Sequence, residues 1–183
     1  MKKFIFLPLF ILCFFSSSCT KDDSLDPRPV FVGGNYVRLD ITRSRLDVTN
    51  LATTSFGGML TAPNGSVTKY NLYVRKTNIY LFAYTDFKLV KTITSFPTDL
   101  SVTPADLATA LNVSVGSFAF GDVLRFYGES FDSDGKLTNF YSLASPVQTV
   151  TAYKQAYRFG CDFTDTDGVS PQNLRNFASY DVQ

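Results

Sequence analysis

The chain contains no histidine and no tryptophan. Without histidine it cannot build a Ser-His-Asp triad, a histidine zinc site or an imidazole acid/base relay. Without tryptophan, any stacking on a sugar ring falls to tyrosine or phenylalanine. Glutamate is nearly absent too: Glu129 is the only one, and every other acidic residue is aspartate. That scarcity, beside 18 Phe, 10 Tyr and abundant Thr and Ser, disfavours helices and favours strands and turns. Neither sign of charge dominates, with 17 basic against 16 acidic residues. Neither a basic nucleic-acid face nor a polyacidic tail is therefore indicated. No glycine-rich phosphate loop occurs, since Gly57-Gly58 lacks the lysine and the strand-to-helix setting such a loop needs.

Only one long apolar run exists, Phe4 to Phe15, interrupted by Pro8 and Cys13. It is shorter than the roughly 20 residues of a spanning helix. Lys2 and Lys3 precede it, and Ser16, Ser17 and Ser18 lead from it to Cys19. This order resembles a lipoprotein signal peptide over residues 1–18 with its lipobox, which implies cleavage before Cys19 and diacylglycerol on its thiol. Ser16 stands where that pattern most often has Leu, and an ordinary secretory signal cut near Ser18 is the alternative. Leu12 makes Cys13 a poorer acceptor. With Cys19 acylated, Cys161 has no partner in the chain, so a disulfide framework is excluded and Cys161 is expected to be buried as a small apolar group.

Residues 19–34 read as a lipidated tether, stiffened by Asp26-Pro27-Arg28-Pro29 and loosened at Gly33-Gly34. Within it, Thr20-Lys21-Asp22-Asp23 resembles the export tag of Bacteroidota surface lipoproteins, and Asp23-Ser24-Leu25 resembles the O-glycosylation motif of that phylum. The resemblance implies an outer-membrane, lipid-anchored protein facing the cell surface, with Lys21, Asp22 and Asp23 as the export tag. A plain hydrophilic spacer is the alternative.

The body, residues 35–161, alternates apolar and polar positions as half-buried strands require. Val37, Leu39 and Ile41 share one face against Arg38 and Asp40; Arg45 to Val48 and Lys69 to Arg75 repeat the pattern, and Asn78 to Tyr84 is more continuously apolar. Thr103-Pro104-Ala105-Asp106 opens a short helix over residues 103–111, with a hydroxyl cap, proline at the first position and an acid in the first turn. Asp122 to Phe131 is expected to be a strand, Asp132 to Gly135 its hairpin turn, Lys136 to Leu143 the return strand, and Val147 to Phe159 a last strand or pair. About seven short strands without βαβ rhythm predict an all-β, antiparallel immunoglobulin-like or fibronectin-like β-sandwich, with a small barrel as competitor. Residues 162–183 form a tail, read either as disordered or as the stub of a second module. Asp162, Asp165 and Asp167 before Gly168 fall short of a calcium loop, because Phe163 and Leu174 occupy ligand positions, so a solvated turn is expected and no metal or cofactor is assigned.

The segments Phe96-Pro97-Thr98-Asp99-Leu100, Thr103 to Leu111, Gly121 to Phe126, Asp134-Gly135-Lys136 and Tyr157-Arg158-Phe159-Gly160-Cys161 together resemble uncharacterised Bacteroidota surface lipoproteins with an N-terminal immunoglobulin-like domain. These are of the kind encoded near starch-utilisation-system-type uptake loci. The resemblance implies a non-catalytic module, held to the bilayer by acylated Cys19, that serves a structural or partner-binding role beside outer-membrane uptake proteins. The alternative is a glycan-binding lipoprotein assisting polysaccharide capture, with Tyr73, Tyr80 and Tyr84 as candidate sugar platforms. Tyr73, projecting opposite Leu72 and Val74, is the candidate most open to solvent. No pair of carboxylates is singled out by spacing, so no catalytic residue is assigned.

Overall fold

The computed structural model describes residues 35–78 and 83–164. The described chain is mostly β-strand, arranged in two sheets. The first sheet runs β1 (Arg38–Arg43), β3 (Phe56–Thr61), β7 (Thr98–Val102), all antiparallel. The second is built on two long neighbours, β4 (Val67–Asn78) and β8 (Asp122–Asp132), paired from Val67↔Asp132 to Asn78↔Asp122. The free edge of β4 is shared by β5 (Ala83–Tyr84) and β6 (Lys88–Ile93); that of β8 is shared by β9 (Leu137–Thr138) and β10 (Arg158–Thr164). The short β2 (Leu46–Asp47) joins the end of β10 in parallel.

Alternation is what lets the sheets share one core. Phe56 of the first sheet stacks on Phe126 of the second at 5.1 Å between ring centroids, and on Phe159 at 5.9 Å. Leu39, Leu60, Leu72, Val74 and Leu124 are buried in the same cluster. Each large side chain so enclosed contributes about 1.5–3 kcal/mol of transfer free energy. Cys161 lies in this core, and burial, assisted by neighbouring Asp162, pushes its thiol pKa well above the ordinary value. That is the inert, apolar setting its isolation predicts.

Helix α1 (Pro104–Leu111) starts where the capping residues predict. Thr103 Oγ1 accepts a hydrogen bond from Asp106 N–H at 3.2 Å, and the Asp106 carboxylate accepts from Thr103 N–H at 2.9 Å. Leu107 and Leu111 are buried below it.

A second structural centre is polar. The buried Tyr157 hydroxyl donates to Asn35 C=O, accepts from Val37 N–H at 3.0 Å and lies 2.8 Å from Ser130 Oγ. Asn35 Nδ2 in turn donates to Asp132 at 3.0 Å. The start of the folded body is thereby fastened to β8 and to the approach to β10. Gly128 is required beside this cluster, because a Cβ there would meet Ala156 O at 2.3 Å.

Three expectations are corrected. The return strand expected over Lys136 to Leu143 ends after Thr138, because Asn139 accepts hydrogen bonds from Tyr141 and Ser142 N–H and closes a 3-10 turn over Phe140–Ser142. The strand expected over Val147 to Phe159 is instead α2 (Ser145–Thr149), a 3-10 turn at Thr151–Tyr153 and only then β10. Pro146 favours the helical start, and Lys154, at φ 51°, reverses the chain. Finally, β10 runs past Cys161 to Thr164, so Asp162 is a buried strand residue rather than part of a solvated turn.

Candidate binding face

Cys19, Lys21, Asp22, Asp23 and Tyr80 lie outside the described residues. Tyr84 stands in β5 opposite Thr77. Tyr73 is on the outer face of the second sheet, as its alternation predicts, and the register assembles a set of neighbours around it that the sequence order conceals.

Across this face runs a row of direct register partners: Leu89 on β6, Tyr73 on β4, Tyr127 on β8 and Arg158 on β10. On one side of it lies the row Thr92, Asn71 and Glu129; on the other lie Arg75, Arg125 and Gly160. Neighbouring strands stand about 4.8 Å apart, so the residues of a row are lateral neighbours. The Tyr73 and Tyr127 rings are 6.5 Å apart and tilted by 49°. Phe87, just before β6, continues the cluster at 5.8 Å from Tyr127.

Polar groups fix this surface. Asn71 Nδ2 donates to the Tyr73 hydroxyl at 3.4 Å, and Thr92 Oγ1 donates to Asn71 Oδ1 at 2.9 Å. Partial burial raises the Tyr73 phenol pKa, opposed by the Asn71 hydrogen bond and reinforced by Glu129. Tyr127 is raised by burial first, then by Glu129, Tyr141 and Tyr73. Both tyrosines therefore present neutral hydroxyls at physiological pH, able to donate as well as accept. Two guanidinium groups lie over rings: Arg75 over Phe87 at 4.8 Å and Arg158 over Phe140 at 5.0 Å. Tyr141 extends the face into solvent at 78% exposure.

The chemistry on offer is recognition: aromatic rings, guanidinium groups and the Glu129 carboxylate side by side. A groove of about 340 Å³ beside β1 is lined by Leu39, Ile41, Val150 and Lys154 among others, with no carboxylate in its wall. Among the described residues no group of His, Cys, Asp and Glu is arranged to hold a metal ion, and no helix is long and apolar enough to cross a membrane.

Sequence reasoning found Tyr73 and missed Tyr127, Phe87 and the arginines. The signal for Tyr127 was present in β8, where Arg125, Tyr127 and Glu129 alternate with Leu124, Phe126 and Gly128. Which of them meets Tyr73 is decided by cross-strand register alone. No family model matches this chain, and no curated protein or solved structure matches it.

Proposed function

We propose that this protein is a non-catalytic, lipid-anchored binding module of immunoglobulin-like topology, tethered at the outer membrane through Cys19, that docks a protein partner of an outer-membrane complex on the outer face of its second sheet. The carrying observation is the row Leu89, Tyr73, Tyr127 and Arg158, flanked by Arg75 and Phe87. Tyrosine and arginine dominate the energetic centres of protein interfaces, and phenylalanine is enriched in them, because each couples a large contact area to a polar or charged tip.

Strand pairing supports the fold assignment. The order β1-β3-β7 corresponds to strands A, B and E of an immunoglobulin domain, and β4-β8-β10 to C, F and G, with β2 as the part of strand A that crosses to join G. The address rests on the resemblance of residues 1–23 to a lipoprotein signal, lipobox and surface-export tag.

A glycan reading is the second, favoured by Asn71 and Glu129 beside the two tyrosines. Their 49° tilt weakens it, because a sugar ring stacks on a flat platform and these rings offer a creased one.

Photo-crosslinking on intact cells separates the readings. A photoreactive residue placed at Leu89 or Tyr141 is expected to yield protein adducts, and one at Met59 on the outer face of the first sheet is expected to yield none. Equal yields from both faces, or none from Leu89 and Tyr141, would refute the docking face. Adducts that resist protease and stain for carbohydrate would favour the glycan.

A further inference from the structure

We infer that the outer edge of β7 is a self-complementary pairing surface for a second copy of this chain, held closed by the Lys91 side chain. β7 ends the first sheet, and among the described residues no strand pairs with its far side. The opposite end of that sheet is closed by backbone: Leu39 N–H donates to Lys154 C=O at 2.9 Å, and Ala156 N–H to Val37 C=O at 3.1 Å. At β7 the cover is a side chain. Lys91, on β6 of the second sheet, donates from Nζ to Ser101 C=O at 2.5 Å and meets the Asp106 carboxylate at 3.0 Å. A lysine laid on an exposed edge is a recurrent way of keeping other strands from adding there.

Register identifies the occupant. Along an antiparallel strand, alternate residues turn both N–H and C=O to the same side. Ser101 C=O faces Lys91, so Ser101 and Asp99 turn outward, while Thr98, Leu100 and Val102 face β3. A second β7 laid antiparallel about a two-fold axis through Leu100 sets Asp99 opposite the partner's Ser101, and Ser101 opposite the partner's Asp99. Each opposed pair exchanges both N–H···O=C bonds, and no like charges meet directly. Arg43 already neutralises Asp99, at 2.9 Å. The contact uses the same patch on both copies and closes on itself. It stops at Pro97, which has no N–H, and at Thr103, whose N–H is taken by Asp106 at 2.9 Å. Lys91 blocks it by engaging Ser101 C=O, an acceptor the pairing needs in both copies. An unrelated strand would lack the two-fold match of Asp99 with Ser101.

The test measures self-association of the full chain in neutral detergent by sedimentation, with amide hydrogen exchange on the same samples. The parent is expected to stay monomeric and to exchange Asp99 and Ser101 N–H rapidly, with Leu100 N–H protected by β3. Lys91→Gln is expected to raise the dimer association constant about tenfold or more and to protect the Asp99 and Ser101 amides. Lys91→Arg, which keeps a cation and its donors at the edge, should behave as the parent does. Lys91→Gln/Ser101→Pro removes an outward N–H that a single copy does not use in its own sheet, a place where proline is tolerated, and should return to monomer. Melting curves of each variant confirm that it folds.

Equal association constants for the parent and Lys91→Gln overturn the inference. Protected Asp99 and Ser101 amides in a monomeric parent overturn it without any variant, because something other than Lys91 would then cover the edge. Lys91→Gln dimers that persist with Ser101→Pro, or that leave both amides exchanging, place the self-association elsewhere on the molecule and overturn it as well. This edge belongs to the first sheet, so each of these results leaves the docking face of the second sheet untouched.

Discussion

The outer faces of the two sheets differ in composition, the first built on ion pairs and the second on aromatic rings. On the first sheet, cations are matched within the face: Arg38 meets Asp40 at 3.0 Å, Lys154 meets the same carboxylate, and Arg43 reaches Asp99 at 2.9 Å. The Asp40 carboxyl pKa is held below its usual range by Lys154 and Arg38. Even a backbone choice serves this matching, since Arg43 passes over Gly57, where a Cβ would lie 3.2 Å from the guanidinium. On the second sheet, arginines lie over rings, and Arg75 faces Arg125. A face that gathers Tyr73, Tyr127, Phe87 and three arginines carries the composition of an interface.

The largest effect tests whether the two faces share one core. Phe126→Ala removes the ring stacked on both Phe56 and Phe159 and should cost about 3–5 kcal/mol in urea unfolding. A loss below about 1 kcal/mol would mean that the sheets do not depend on a common layer.

Next in size is Tyr157→Phe, which leaves Val37 N–H without its partner at the seam between β1 and the second sheet and should cost about 1–3 kcal/mol. Its pH dependence follows from burial, which raises the Tyr157 phenol to about 12 and that of Tyr70 well above its ordinary value. An unfolded chain titrates near 10, so the folded state holds these protons more tightly. The resulting stability is fully present below pH about 10 and is lost as pH rises through the folded values. Chemical unfolding at stepped alkaline pH should therefore show a decline that is shallower in Tyr157→Phe. An equal slope in both proteins would remove Tyr157 as its source.

The acid limb has the opposite sign. Asp40, Asp106 and Asp132 all have lowered pKa values. The stability they supply is present above about pH 4 and lost as pH falls through their folded values. The smallest effect is expected at the matched face itself: Arg43→Gln should change stability by no more than about 1 kcal/mol, because Asp99 is exposed and solvent screens the pair. A larger loss would show that matching on the first sheet is structural rather than merely neutralising.

The long strands and α1 were legible because local chemistry decides them. β4 alternates from Lys69 to Arg75, and Thr103, Pro104 and Asp106 specify the helix start. The stretch from Leu137 to Lys154 was not, since valines, tyrosines and phenylalanines there read as strand while Asn139 capping and the left-handed Lys154 turn the chain locally. β3 was obscured by Gly57 and Gly58, which break alternation because backbone from β1 and β7 approaches where side chains would stand. The binding face was half legible: Tyr73 followed from alternation, whereas its meeting with Tyr127, Leu89 and Phe87 depends on pairings between residues far apart in the chain.

The most direct test of the difference between the faces is native gel migration of the protein extracted from cells in neutral detergent, comparing the parent with Tyr73→Ala/Tyr127→Ala and with Met59→Glu. The parent and Met59→Glu should migrate together in a larger assembly, with the tyrosine double variant released as a smaller species. Retention of that double variant in the assembly, or release of Met59→Glu instead, would contradict assignment of docking to the second sheet.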